Sequence, residues 1–186
     1  MKKLYGWLLS LGSIIIFTAC SLGAGNTPPP SETVTAFLAH IQAVEFAEAD
    51  ELILGDISLY EIEEEHRGMF ANLSHEHISE SINGSQASVT LTINAVDFVA
   101  VMDEVMVEAF YLAFTEISAA ELAILIETAL IEGMTSSTAP IASSEVTVTL
   151  EMSDGEWKII ADDTFVNAVT GGFFSFAAYA DEWLPD

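Results

Sequence analysis

Residues 75–95 read HEHISESINGSQASVTLTINA, and the fold turns on how that stretch pairs with itself. From Gln86 onward the apolar residues Val89, Leu91 and Ile93 alternate with Ser88, Thr90 and Thr92, the period of two that marks a strand with one face buried. Asn83-Gly84 separates this run from a second one, His75 to Ile82. Asn-Gly between two such runs is a strong hairpin signal, because both residues tolerate the positive φ that a tight turn demands. The same design returns at 146–160, VTVTLEMSDGEWKII, where Val146, Val148, Leu150 and Met152 share a face. Asp154-Gly155 forms the turn there, and Trp157 to Ile160 form the returning strand.

Between and around the hairpins the period changes to that of a helix. Val34, Phe37, Leu38, Ile41 and Val44 recur on one helical face, which predicts a helix over about 32–53 that Ser31 caps and Gly55 stops. A second helical pattern carries Ile62, His66, Met69, Phe70 and Leu73 on one side and Glu61, Glu63, Glu64 and Glu65 on the other. Asp97 caps a helix from Phe98 to about Thr115, and the capping box Ser118-Ala119-Ala120-Glu121 starts another that ends before Gly133. A last helical segment opens at Asp162 or Asp163 and is interrupted at Gly171-Gly172. Two hairpins joined edge to edge, with helices over the apolar face, define an α+β fold. The expected sheet is antiparallel, curved and cone-like, with four or more strands.

The N-terminus carries an address. Lys2 and Lys3 precede an apolar run, Leu4 to Phe17, which ends in Phe17-Thr18-Ala19-Cys20. A basic segment, a short apolar segment and small residues before a cleavage point make a secretory signal, and the run is too short to span a membrane. Cys20 is the chain's single cysteine and directly follows the small residue. The stretch resembles the bacterial lipobox, in which that cysteine is acylated and becomes the new N-terminus. The resulting plan is a lipoprotein signal peptide over 1–19, a Gly/Ser/Pro tether over 20–31 and a single α+β domain over 32–186. Acyl chains hold such a domain to the extracytoplasmic face of the cell membrane without a basic patch.

Charge narrows the partners. The 186 residues hold 29 Asp and Glu against 4 Lys and Arg, a formal charge of −25. Loss of Lys2 and Lys3 with the signal leaves only Arg67 and Lys158. A chain this acidic is repelled by nucleic acid. It can collect cations instead, so Ca²⁺ at the acidic surface, above all at Glu61 to Glu65, is one candidate partner, although no EF-hand spacing is present. His75 and His77 lie two apart on a strand, facing one way as metal ligands would, but Ser88, Thr90 and Thr92 opposite them are poor further ligands. The sequence holds no Gly-x-Ser-x-Gly, His-Glu-x-x-His, P-loop or dinucleotide fingerprint, and no cofactor is expected.

The Val-Thr-Leu-Thr strand running into Asp97, the Asp154-Gly155-Glu156-Trp157-Lys158-Ile159 turn and the Gly171-Gly172-Phe173 stretch complete a pattern that begins with the lipobox and its amphipathic helix. Together these resemble uncharacterised lipoproteins of low-GC Gram-positive (Firmicutes-type) bacteria that carry a nuclear-transport-factor-two-like or cystatin-like domain of unknown function. The resemblance implies a curved sheet around a helix with a central pocket. It implies no catalytic residue. Phe37, Ile41 and Trp157 are the residues expected to line such a pocket and to meet a small apolar ligand.

Two apolar stretches exceed what a small core needs. The helix FVAVMDEVMVEAFYLAF, 98–114, is apolar almost all round, and the C-terminal cluster Phe173, Phe174, Phe176, Tyr179, Trp183 and Leu184 follows later. Each is either central to the fold or shared with a protein partner. The leading functional expectation is a lipid-anchored envelope protein with a non-catalytic binding or scaffolding domain. One alternative is an enzyme using the cone pocket, with a buried carboxylate or His40 or His66 as general base. The other is a divalent-cation-dependent surface protein.

Overall fold

A computed structural model describes residues 27–55, 62 and 64–176. The expected signal segment, Cys20, most of the expected tether, Glu61, Glu63, Tyr179, Trp183 and Leu184 lie outside the described residues.

The chain begins with helix α1 (Pro30–Gln42) and the short α2 (Phe46–Asp50), then the two-residue strand β1 (Ile53–Leu54) and a 3-10 helix, Glu64–Asn72. Strands β2 (Ser74–Asn83) and β3 (Gln86–Val96) form the first hairpin, and β4 (Ile141–Ser153) with β5 (Glu156–Ile160) forms the second. Helices α3 (Phe98–Leu112) and α4 (Ala119–Thr135) connect the hairpins, and α5 (Asp163–Val169) follows β5. The result is the expected α+β fold, with a curved, unclosed sheet packed on helices. Its five strands run in the order β1-β5-β4-β3-β2. Strands β3 and β4 join the hairpins antiparallel, Val89 opposite Val148 and Leu91 opposite Val146. The fifth strand, β1, pairs parallel with β5, Ile53 opposite Ile159.

One apolar face makes the core. Val89, Leu91, Ile93, Val146, Val148, Leu150 and Ile159 are buried against Val34, Phe37, Leu38 and Ile41 of α1 and Phe165 of α5. The Phe37 and Phe165 rings stand 5.4 Å apart between centroids, a favourable tilted pair. Thr90 and Thr147, on the opposite face, share a hydrogen bond across the strands at 3.1 Å.

Three boundaries differ from expectation, each for a local reason. The first helix ends at Gln42 rather than near 53, because Val44 takes a left-handed φ of +63° and turns the chain before α2 begins. It starts at Pro30, whose fixed φ suits the first helical position. Ser31 is therefore inside the helix, and its amide is capped from another element by the Glu80 carboxylate at 3.1 Å. Helix α4 runs through Gly133 to Thr135 instead of stopping before it. Gly133 packs so close to α3 that a Cβ there would lie 2.7 Å from Val101 Cγ1. Its smallness serves the helix crossing, not a helix end. Of the 62–73 pattern, read as helical, Glu64–Asn72 winds as a 3-10 helix, and Ile62, Met69, Phe70 and Leu73 are buried.

The largest correction concerns β2. Its register with β3 shifts between His77 and Ser79. From the turn, Asn83 pairs with Gln86, Ser81 with Ser88 and Ser79 with Thr90; beyond Ile78, His77 pairs with Leu91 and His75 with Ile93. A one-residue bulge moves every later side chain to the other face. His75 and His77 thus lie on the side of the buried strand residues and do not face Ser88, Thr90 and Thr92.

Candidate functional site

The residues singled out for chemistry are dispersed. Phe37, Ile41 and Trp157 are all buried core side chains, and they line neither of the two depressions described below. His75 Nε2 lies 3.4 Å from Thr35 Oγ1 of α1, while His77 is exposed. Among the described residues no group of three His, Cys, Asp or Glu is placed to hold a metal. His40 Nδ1 meets Glu45 Oε2 at 2.8 Å on the surface, and His66 is half-buried on the 3-10 helix. Asp162 is a helix cap, accepting from the Phe165 amide at 2.8 Å. Asp163 lies beside Glu145, Asn167 and Ser175 in an open depression of about 490 Å³.

What the structure does bring together is the α3–α4 hairpin. Asp97 caps α3 by accepting the Ala100 amide at 3.0 Å. Ser118 and Glu121 close the capping box of α4, with the Glu121 amide donating to Ser118 Oγ at 3.3 Å and the Ser118 amide donating to Glu121 Oε2 at 3.0 Å. The Ser118 hydroxyl also donates to Glu121 Oε2 at 2.6 Å, and this bond, with the one from the Ser118 amide, holds the Glu121 carboxyl below the usual carboxylate range. Both helices are thus well started, and with about 1.5 Å of rise per residue each is more than 20 Å long.

The hairpin is packed from its base as far as Ala109 on α3. Phe98, Val101, Val105 and Met134 are buried there, and the Phe98 ring meets Phe173 at 5.1 Å and Phe176 at 5.2 Å. Phe173, Phe174 and Phe176, half-buried, thus pack against the core. Toward the tip the apolar side chains turn outward: Phe110 is 63% exposed, Tyr111 70% and Phe114 76%. The Phe110 ring lies 5.0 Å from Phe114 and 6.1 Å from Tyr111. Met106, Val107, Ile124 and Leu125 extend the apolar surface. A groove of about 200 Å³ runs between the helices, lined by Val105, Ala109, Leu112, Leu125 and Ala129 and by the carboxylates Glu108 and Glu132.

Contiguous exposed apolar surface of this kind marks an interaction site in a soluble domain. The all-round apolarity of 98–114 signalled it in α3. The matching signal in α4 is Leu122-Ala123-Ile124-Leu125-Ile126, because five consecutive apolar residues circle a helix and some must face outward. Among the described residues no helix is long and apolar enough to cross a membrane.

Fold and surface together define an α+β domain bearing a helical hairpin with an exposed apolar tip. No family model matches the chain, and no curated protein matches it. Among solved structures it is similar to the Bacillus subtilis protein ycdA, which bears the name of a lipoprotein, with 18% identity and a TM-score of 0.44. The match covers 76% of this chain and 46% of that one, so the chain spans less than half the length of that protein.

Proposed function

We propose that this chain is a lipid-anchored protein of a Gram-positive cell envelope whose domain binds a partner without catalysis, through the α3–α4 hairpin. The observation that carries the binding role is the solvent-facing cluster Phe110, Tyr111 and Phe114, which the fold does not bury. The signal and lipobox pattern ending at Cys20 supports the anchor and the extracytoplasmic location. Membership of the nuclear-transport-factor-two-like or cystatin-like group is part of this reading, supported by the curved, unclosed sheet packed against α1.

The two halves are tested separately. Labelled palmitate is expected to enter the wild-type chain and not Cys20→Ala, and the variant is expected to leave the membrane fraction. An unlabelled, soluble wild type overturns the anchor. A photo-crosslinking residue at position 111 on intact cells is expected to give a discrete adduct, while one at position 149 on the polar sheet face gives none. Equal labelling at both, or none at 111, overturns the binding surface.

A further inference from the structure

We infer that the partner of the α3–α4 hairpin is a cationic amphipathic helix, seated on the groove with its apolar side against Leu112, Leu125 and Phe114 and its basic side chains toward Glu108 and Glu132. The inference rests on the binding role proposed above and adds the chemistry of the partner. Charge complementarity carries it. Residues 98–135 contain no Lys, Arg or His, and acids recur along them from Asp103 to Glu132. Glu108 and Glu132 line the apolar groove itself, and neither has a cationic partner among the described residues.

Any occupant that buries the groove also brings its own charges close to these carboxylates, at distances within the roughly 8 Å over which physiological salt leaves charges in contact. A second copy presents the same acids, and the chain as a whole carries −25, so like charges meet across the interface and oppose it. An anionic membrane surface is repelled for the same reason. A basic amphipathic helix reverses the sign. The groove also has the shape for one, because two helices side by side leave an apolar channel that residues at i, i+3, i+4 and i+7 of a third helix can fill.

The test uses the chain carrying Cys20→Ala, purified without detergent, and two fluorescent 18-residue peptides of one Leu/Lys composition. One peptide is ordered as an amphipathic helix and the other is scrambled to remove the apolar face. The ordered peptide is expected to bind at least tenfold tighter than the scrambled one. Phe110→Ser with Phe114→Ser is expected to weaken it tenfold or more, and Glu108→Gln with Glu132→Gln several-fold, with the latter pair also reducing the salt dependence. Unchanged circular dichroism and melting temperature confirm that the variants fold, as the exposure of all four side chains leads one to expect.

Equal binding of both peptides, or binding indifferent to the Phe substitutions, overturns the inference in favour of general acidity. Absence of peptide binding together with a dimer that Phe110→Ser and Phe114→Ser dissociate overturns it while the binding surface stands. Attachment to phosphatidylcholine vesicles that the same substitutions abolish does likewise. Failure of position 111 to crosslink on cells, by contrast, removes the underlying reading itself.

Discussion

Glu45 closes on His40 twice: its amide donates to the His40 carbonyl at 2.8 Å, and its carboxylate meets His40 Nδ1 at 2.8 Å. With the Val44 amide donating to the Ile41 carbonyl at 3.0 Å, these backbone bonds form a Schellman turn at the end of α1. The left-handed position of that turn ordinarily belongs to glycine, yet here it is Val44 at φ +63°. A β-branched residue is strained there by roughly 1–2 kcal/mol. Val44 is partly solvent-exposed, so little apolar burial offsets the strain. Val44→Gly is expected to raise stability by about 0.5–1 kcal/mol after the greater unfolded-state entropy of glycine is counted. Urea unfolding that shows a loss instead would mean the turn is held by side-chain packing.

The reverse substitution is expected to fail at Gly171. Its φ is +58°, and a Cβ there would collide with the Val96 carbonyl oxygen. The same glycine's carbonyl accepts the Phe98 amide at 3.0 Å, so this contact ties the end of β3 and the start of α3 to the C-terminal segment. Gly171→Ala is expected to cost about 2–4 kcal/mol, from backbone strain plus displacement of packed main chain. Urea unfolding checks it, and a change within 0.5 kcal/mol would show that the segment can move aside.

The two hairpin turns, unlike the turn at Val44, are legible in the sequence. Asn83-Gly84 and Asp154-Gly155 announced both hairpins, because turn chemistry and strand alternation are local; in the first, Asn83 is the last paired residue and Gly84-Ser85 the turn. Helix starts at Asp97, Ser118 and Asp162 were legible for the same reason. The bulge at Ile78 was not, since nothing in HEHISES distinguishes a regular register from a shifted one; only packing of β2 beside α1 does. Val44 was misread because an apolar residue at helical spacing says nothing about its φ. For the candidate site, the excess apolarity of 98–114 was visible, whereas its division into a buried base and an exposed tip depends on how far the hairpin projects beyond the elements it packs on.

The capping box supplies a pH dependence with a definite sign. Hydrogen bonds from the Ser118 hydroxyl and amide lower the Glu121 pKa in the folded chain. A carboxyl depressed in this way contributes its full stabilisation above the unfolded value of about 4.3 and loses it as pH falls through the lower folded value. The side-chain carboxyl carbon of Glu121 is expected to titrate below the ordinary glutamate range by NMR. Ser118→Ala is expected to return it to that range and to fray the first turn of α4 at every pH. An unshifted titration in the wild type would show that the box is open in solution.

Phe37 and Phe114 separate the two uses of aromatic side chains in this chain. Phe37 is 1% exposed and packs against Phe165, so truncation to Ala removes buried surface and leaves a cavity, an expected loss of about 3–5 kcal/mol. Phe114 lies in the turn beyond the Ala113 C-cap of α3, is 76% exposed and has its ring against Phe110, and a substitution at so exposed a site ordinarily changes stability by no more than about 0.5 kcal/mol. Phe114→Ala is therefore expected to change unfolding free energy by no more than about 0.5 kcal/mol while weakening the crosslink from position 111. A large stability loss at Phe114 would place it in a packed environment and argue that the hairpin tip folds back on the domain. Near-neutral stability with lost binding would mean that the phenylalanine acts at an interface with another molecule and not in the core.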